Sequence, residues 1–395
     1  REIKQALKNS FFLAASEVTD IKIPWGVITG IRPSKPVAEM LGIYPENKVK
    51  EILKKDYFLY DSKIELVIKT AKASLNAAEK MKKNGVSLYI AIPFCPSRCN
   101  YCSFVSHAIE KAGVLLDDYY KALISEIYLK SEIIKRYNLS LETVYIGGGT
   151  PAILSPVQIS GLFSVLDSCF GLKNIKEITF EAGRPDAITE DKLKALSEIK
   201  DIRISINPQT LNDDVLTAIG RKHTVKQFFD SFNMAKKLGF TKINTDLIAG
   251  LTGDTLESFK NTVDEIIKLS PSNITVHTLS LKRAANISKS KEMISPDGIT
   301  EKMLDYSADK LLLYKYWPYY LYRQRNTVAN LENTGYSLEN EECLYNIYMM
   351  EELQSVFACG AGAVTKLVKD GKIERIFNYK YPYEYLSGKK HDESE

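Results

Sequence analysis

Residues 88–104 read LYIAIPFCPSRCNYCSF. Five strand-forming residues (LYIAI, 88–92) are stopped by Pro93, and Cys95, Cys99 and Cys102 follow within eight residues in a polar loop. The same short apolar rhythm recurs at 143–148 (TVYIGG), 177–182 (EITFEA), 203–207 (RISIN), 242–250 (KINTDLIAG) and 273–280 (NITVHTLS), with helix-period segments between. Six strands alternating with helices predict parallel βα units in an α/β fold. Right-handed crossovers leave a doubly wound sheet or an incomplete barrel. Strands this apolar are expected to be covered on both faces. Polar and glycine residues gather at their C-terminal ends, where such folds place chemistry.

The flanks differ from this centre. Residues 1–85 carry helical patterning: an opening REIKQALKNSFFLAASEV, a kinked PWGVITGIRPSKP, a short helix near 36–42 and a long one from about 60 to 84. They are expected to form an N-terminal helical cap on a barrel spanning 86–284. The chain opens on Arg1 already in helical pattern, so a further upstream segment is expected. After 285 the strand-helix alternation is lost. An aromatic, basic stretch (YKYWPYYLYRQRN, 314–326) and a glycine-rich CGAGAV (359–364) mark a C-terminal α+β domain over 285–395.

With 45% hydrophobic and 26% charged residues the composition is globular. A net charge of +4, mixed along the chain, gives no footprint for nucleic acid. No apolar run approaches the ~18 residues of a membrane span, and no cleavable leader pattern opens the chain. A cytoplasmic location is the default expectation. Six cysteines are too few for a disulfide scaffold, and Cys169, Cys343 and Cys359 read as buried small side chains.

Three thiols in C-x3-C-x2-C fit a [4Fe–4S] cluster with one iron left open to an outside ligand. The alternative is a Cys3His zinc site completed by His107. The second strand ends in GGGTP (147–151), where missing Cβ atoms let a charged ligand approach the backbone. It lacks the Gly-Lys-Ser/Thr ending of a nucleotide triphosphate loop. Other strand ends offer Glu181, Gln209 and Asp246, with Arg221 in IGRKHT (219–224). Such carboxylates suit ribose hydroxyls or an ammonium group, and Arg221 suits a carboxylate.

On these residues the chain resembles the radical S-adenosylmethionine (SAM) superfamily, whose cluster motif is C-x3-C-x2-C with an aromatic residue, here Tyr101, before the third cysteine. The segments YIAIPFC, YIGGGTP, TFEAGRPD, ISINPQTLND, IGRKHT and NTDLIAGL extend the resemblance to the oxygen-independent coproporphyrinogen III oxidase (HemN-like) family. GIRPSKP, EAGRPD, YRQRN, NLENTGYS and CGAGAV agree with its HemZ branch. The resemblance implies a partial (β/α)6 radical SAM barrel and decarboxylation of two propionates of coproporphyrinogen III to vinyl groups, by a 5′-deoxyadenosyl radical. It implies Cys95, Cys99 and Cys102 as cluster ligands, and Tyr89, Gly148 and Glu181 as contacts to SAM. Tyr101, Gly149, Thr150, Gln209, Arg221, Asp246 and Ser280 match a second SAM-binding set. It also implies a tetrapyrrole substrate and a reducing donor such as flavodoxin or ferredoxin.

The propionates need cationic anchors. Arg32, Arg184 and Arg323 are the candidates, with Lys35, Arg283 and Arg325 as further possibilities. In one respect the chain departs from HemN: Ser103 and Phe104 follow Cys102 where HemN carries a fourth cysteine. The HemW branch, a haem chaperone, has a similar aromatic there, which keeps a haem carrier or another tetrapyrrole as alternatives. A carrier needs an axial ligand, and His107, His223, His277 and His391 are the available histidines.

Overall fold

The computed structural model describes residues 2–19, 23–102, 106–280, 298–324, 327, 330–369 and 371–388. Ser103, Phe104, Arg283, Arg325 and His391 lie outside the described residues. The six expected strands form as β1 (Gly85–Ile92), β2 (Ser140–Gly148), β3 (Glu177–Gly183), β4 (Arg203–Ile206), β5 (Ile243–Ala249) and β6 (Asn273–Thr278). They pair in that order, each parallel to the next.

The strands alternate, which a reading of them as uniformly apolar does not anticipate. Leu88, Ile90 and Ile92, Val144 and Ile146, Ile178 and Phe180, and Ile204 and Ile206 join one apolar core. The helices Leu116–Arg136, Pro156–Phe170 and Val225–Lys237 contribute Leu123, Leu162 and Phe228 to it. The intervening residues point the other way. Tyr89, Tyr145, Glu181, Asn244, Asp246, Thr275 and His277 line a cavity. A period of two thus sends oil to the helices and polar or aromatic groups to the interior.

The C-terminal segment extends this sheet at both edges. β7 (Trp317–Tyr322) and β8 (Asn333–Ser337) add antiparallel beyond β6, in the order β6-β8-β7. At the other edge β9 (Ser355–Cys359) lies parallel to β1, followed by the antiparallel hairpin of β10 (Val364–Lys369) and β11 (Lys372–Phe377). Among the described residues the result is an eleven-stranded open sheet whose parallel part has a seventh strand from the C-terminal segment.

The N-terminal segment comprises α-helices at Glu2–Val18, Ser34–Leu41, Glu46–Lys55 and Asp61–Glu79; the third was not expected from the pattern. Its core of Trp25, Val37, Val49, Leu53 and Val67 includes Leu321 of β7. A buried triad reinforces that junction. Glu332 accepts from Trp25 Nε1 at 2.7 Å and from Lys63 Nζ at 2.7 Å. No helix among the described residues is long and apolar enough to cross a membrane.

Candidate functional site

A cavity of about 780 Å³ opens at the C-terminal ends of the parallel strands, and the expected residues converge on it. Cys95, Cys99, Cys102, Tyr89, Tyr101, Gly148, Gly149, Thr150, Glu181, Arg184, Gln209, Arg221, Asp246 and Ser280 all contribute to its lining.

The cysteine loop is fixed from three sides. Phe94 and Cys95 pair in parallel with His107 and Ala108. The Asn100 N–H donates to Ile219 O at 2.9 Å. Arg184 Nη1 donates to the Ser97 carbonyl and hydroxyl, both at 2.9 Å, and lies 3.8 Å from Cys99 Sγ. The guanidinium is itself held by Asp186, with Nε–Oδ1 at 2.9 Å and Nη2–Oδ2 at 2.6 Å. Arg184 is therefore buried beneath the loop and engaged there. Among the described residues no three Cys, His, Asp or Glu side chains are gathered at ligand spacing; the three thiols line one cavity.

The glycine run follows from close approach. A Cβ on Gly149 would lie 2.4 Å from Phe94 O, and one on Gly147 would lie 2.7 Å from Glu181 Oε2. With both absent, Gly149 N–H donates to Ile92 O and Thr150 N–H to Phe94 O, each at 2.8 Å. The turn is clamped to the strand that feeds the cysteine loop. Thr150 Oγ1 then reaches Cys95 Sγ at 3.5 Å.

Two carboxylates on the cavity rim, from β3 and β5 with β4 between them, are tuned in opposite directions. Burial, reinforced by the Asp246 charge, pushes Glu181 up to about 7 although Tyr145 O–H and the Gly148 N–H donate to it. Burial also works to raise Asp246, but His277, Asn244 and Thr275 outweigh it and hold its carboxyl below the ordinary value. Asn207 Nδ2 and Asn244 Nδ2 donate to Asp246 at 2.7 and 2.8 Å, and His277 Nε2 stands 3.9 Å away.

The residues fit the cofactors that the motif implies. Among the described residues, Arg221 Nε and Ser280 Oγ are buried in the lining without a hydrogen-bond partner, as expected of groups waiting for a polar ligand. Arg184 and Arg221 bring positive charge to the thiol loop, which suits the negative charge of a thiolate-bound centre. The zinc alternative finds no support in the placement of His107. Its ring packs against Tyr381 at 5.8 Å, and it is not part of the cavity lining.

Arg32 and Arg323 are not brought to the cavity. Arg32 pairs with Glu352 at 2.7 Å. Arg323 donates to Ile28 O at 2.8 Å and covers the Trp25 ring at 5.3 Å, tying cap to sheet. Lys35 lies 3.7 Å from Glu352, with nearly half its side chain exposed.

Sequence reading missed an aromatic wall. Tyr145 stacks on Tyr345 at 4.5 Å, Tyr89 lies 6.2 Å from Tyr145, and Tyr320 and Tyr322 stack at 6.2 Å. Tyr345 comes from the helix Leu344–Glu351, whose first amides, Leu344 N–H and Tyr345 N–H, donate to the buried Glu177 carboxylate at 3.0 and 3.1 Å. A carboxylate at a helix N-terminus satisfies orphan donors and complements the helix dipole. The tyrosines of β1, β2 and β7 sit on inward positions, the signal available in the sequence once the period of two is traced.

Comparison with known proteins agrees with this geometry. The Radical SAM superfamily model matches residues 89–266. The chain is 38% identical over 394 residues to the oxygen-independent coproporphyrinogen-III oxidase-like protein HemZ of Bacillus subtilis (strain 168), covering 98% of this chain and 78% of that protein. It is 37% identical over 196 residues to the heme chaperone HemW of Lactococcus lactis subsp. lactis (strain IL1403), covering 50% of this chain and 49% of HemW. Among solved structures, coproporphyrinogen III oxidase (HemN) from Escherichia coli superposes with a TM-score of 0.63 at 24% identity, over 80% of this chain and 71% of HemN, a likeness of fold. With a thiol loop, a glycine turn and polar strand ends arranged around one barrel cavity, the chain belongs to the radical SAM superfamily, in the family of HemZ-type coproporphyrinogen-III oxidase-like proteins.

Proposed function

We propose that the protein carries out the oxygen-independent oxidative decarboxylation of two propionates of coproporphyrinogen III to vinyl groups, yielding protoporphyrinogen IX. The observation that carries this reading is the union, in one cavity, of the thiol loop, the polar strand ends and the tyrosine wall. In this reading Cys95, Cys99 and Cys102 hold a [4Fe–4S] cluster. Tyr89, Gly148 and Glu181 would contact the SAM that this cluster would bind. Tyr101, Gly149, Thr150, Gln209, Arg221, Asp246 and Ser280 accommodate a second SAM. When bound, these groups supply one-electron reduction and hydrogen abstraction, the electron coming from a protein such as flavodoxin or ferredoxin.

The chain's own work is positioning and shielding. Glu181, balanced between its two forms near neutral pH, gains its charge when an ammonium group arrives. Asp246, held ionised by amides and His277, accepts hydrogen bonds from hydroxyls. The stacked tyrosines give a flat apolar face for a macrocycle and keep water from its reacting carbon. No side chain needs to act as acid or base.

The HemW relatives and the Ser103–Phe104 departure favour one second reading, a haem carrier on the same scaffold. His277 lines the cavity and is the ligand this reading requires; its Nδ1 now lies 3.3 Å from Tyr322 Oη. Anaerobic reconstitution with iron and sulfide, followed by dithionite, SAM and coproporphyrinogen III, separates the two. Deoxyadenosine together with a substrate that has lost two carboxyl groups, both abolished in Cys99→Ala, supports the oxidase. Stoichiometric haem binding lost in His277→Ala, with the porphyrinogen mass unchanged, removes it in favour of the carrier.

A further inference from the structure

Beyond Val364, which ends CGAGAV, no motif accounts for the β10–β11 hairpin, yet Val364, Lys366, Arg375 and Phe377 from it line the cavity. Lys366 and Arg375 are direct cross-strand partners. Like charges so placed repel one another. The Glu352 carboxylate lies within reach of both, 3.3 Å from Arg375 Nη2 and 3.8 Å from Lys366 Nζ. Arg32 Nη2 approaches the same carboxylate at 2.7 Å and Lys35 Nζ at 3.7 Å.

Glu352 occupies a strained place to do this. It caps the helix Leu344–Glu351 at φ 55°, in the left-handed region usually left to glycine, and its side chain is only 4% exposed. The neighbouring Glu351 feels the charge of Arg32 and Lys35. Among the described residues, four cations, Arg32, Lys35, Lys366 and Arg375, thus gather on the single Glu352 carboxylate. Two local rules are therefore broken at one spot, and a positive excess remains beside the cavity. Such coincidences mark places shaped for a ligand more often than for stability.

Resting on the tetrapyrrole reading above, we propose that Lys366 and Arg375 form a carboxylate-binding end of the cavity that takes a non-reacting propionate of the substrate. Glu352 is their internal counter-ion between turnovers, hydrogen-bonded to Arg375, while Lys366 Nζ donates to Met349 O at 3.1 Å. The Arg375 guanidinium offers paired hydrogen bonds to a carboxylate, and Lys366 adds a point charge. Met349, Met350 and Tyr345 line the same cavity and offer an apolar surface for the ring. The macrocycle thus lies on the aromatic wall with its acid edge toward the hairpin.

The test titrates the full chain with coproporphyrin III, a stable tetra-acid, and with its tetramethyl ester, following fluorescence. Lys366→Met and Arg375→Gln are each expected to weaken tetra-acid binding about tenfold, the loss of one charge-assisted contact, and to leave ester binding unchanged. Raising the ionic strength is expected to weaken tetra-acid binding to the native protein and spare the ester, a readout that needs no variant to fold. Native-like tetra-acid affinity in both variants, an equal loss for acid and ester, or salt-insensitive binding overturns the proposal. Failure of the native protein to bind either porphyrin overturns the tetrapyrrole reading itself, and this assignment with it.

Discussion

Replacing Glu181 by Gln isolates the electrostatic cost built into the centre of the site. The Glu181 carboxyl is pushed from an ordinary 4.5 up to about 7, first by burial and then by the Asp246 charge. A carboxyl raised on folding contributes stability that is complete below 4.5 and is lost as pH rises toward 7, because the folded state keeps a proton the unfolded chain has released. At about 1.4 kcal/mol per pH unit, that interval corresponds to a loss on the order of 3 kcal/mol. Gln cannot titrate. The difference in unfolding free energy between native protein and Glu181→Gln is therefore expected to shift by about that amount, in the variant's favour, between pH 5 and 8. Urea unfolding of the metal-free chain at a series of pH values measures it. Asp246→Asn, by removing the adjacent charge, is expected to shrink the shift. Parallel pH profiles for native protein and Glu181→Gln would refute the argument, since they would mean the carboxylate meets no more resistance to ionising than in the unfolded chain.

Gly149→Ala forces a Cβ against the Phe94 backbone, whose atoms cannot step aside, and is expected to cost roughly 2–4 kcal/mol. Thermal melts and iron content after anaerobic reconstitution should both fall; an unchanged melting temperature would show that the turn can separate from Phe94 freely. Arg184→Met leaves Asp186 and the Ser97 carbonyl without their buried partner and is expected to destabilise the chain by about 3–5 kcal/mol. Iron retained after gel filtration should drop even at temperatures where the variant stays folded, and full retention would show that the loop holds its shape without Arg184.

The six parallel strands and the cysteine loop were legible because their signals are local. A short apolar run, a proline and three spaced thiols need no distant partner to be recognised, and GGGTP announces its tight approach within five residues. The strand ends were placed for the same reason: if strands alternate with helices, Glu181 and Asp246 must share one rim. Helix Glu46–Lys55 escaped because its apolar residues, Val49, Ile52 and Leu53, are few among lysines and glutamates. Arg32 and Arg323 were read as substrate anchors because an unpaired arginine and one bound to Glu352 or Ile28 look alike in sequence.

Sequence by itself determined the chemistry-bearing loop, the βα succession and the end of the sheet where the site lies. Tertiary structure alone decided that Ser355–Cys359 runs beside Gly85–Ile92 as a seventh parallel strand, and that Tyr345 meets Tyr145 some 200 residues away. It alone decided, too, that Lys366 and Arg375 share Glu352 with Arg32 at the cavity's edge. Periodicity records which face of an element is buried. What that face meets depends on loop closure and on the packing of the whole chain, and so has no local signature.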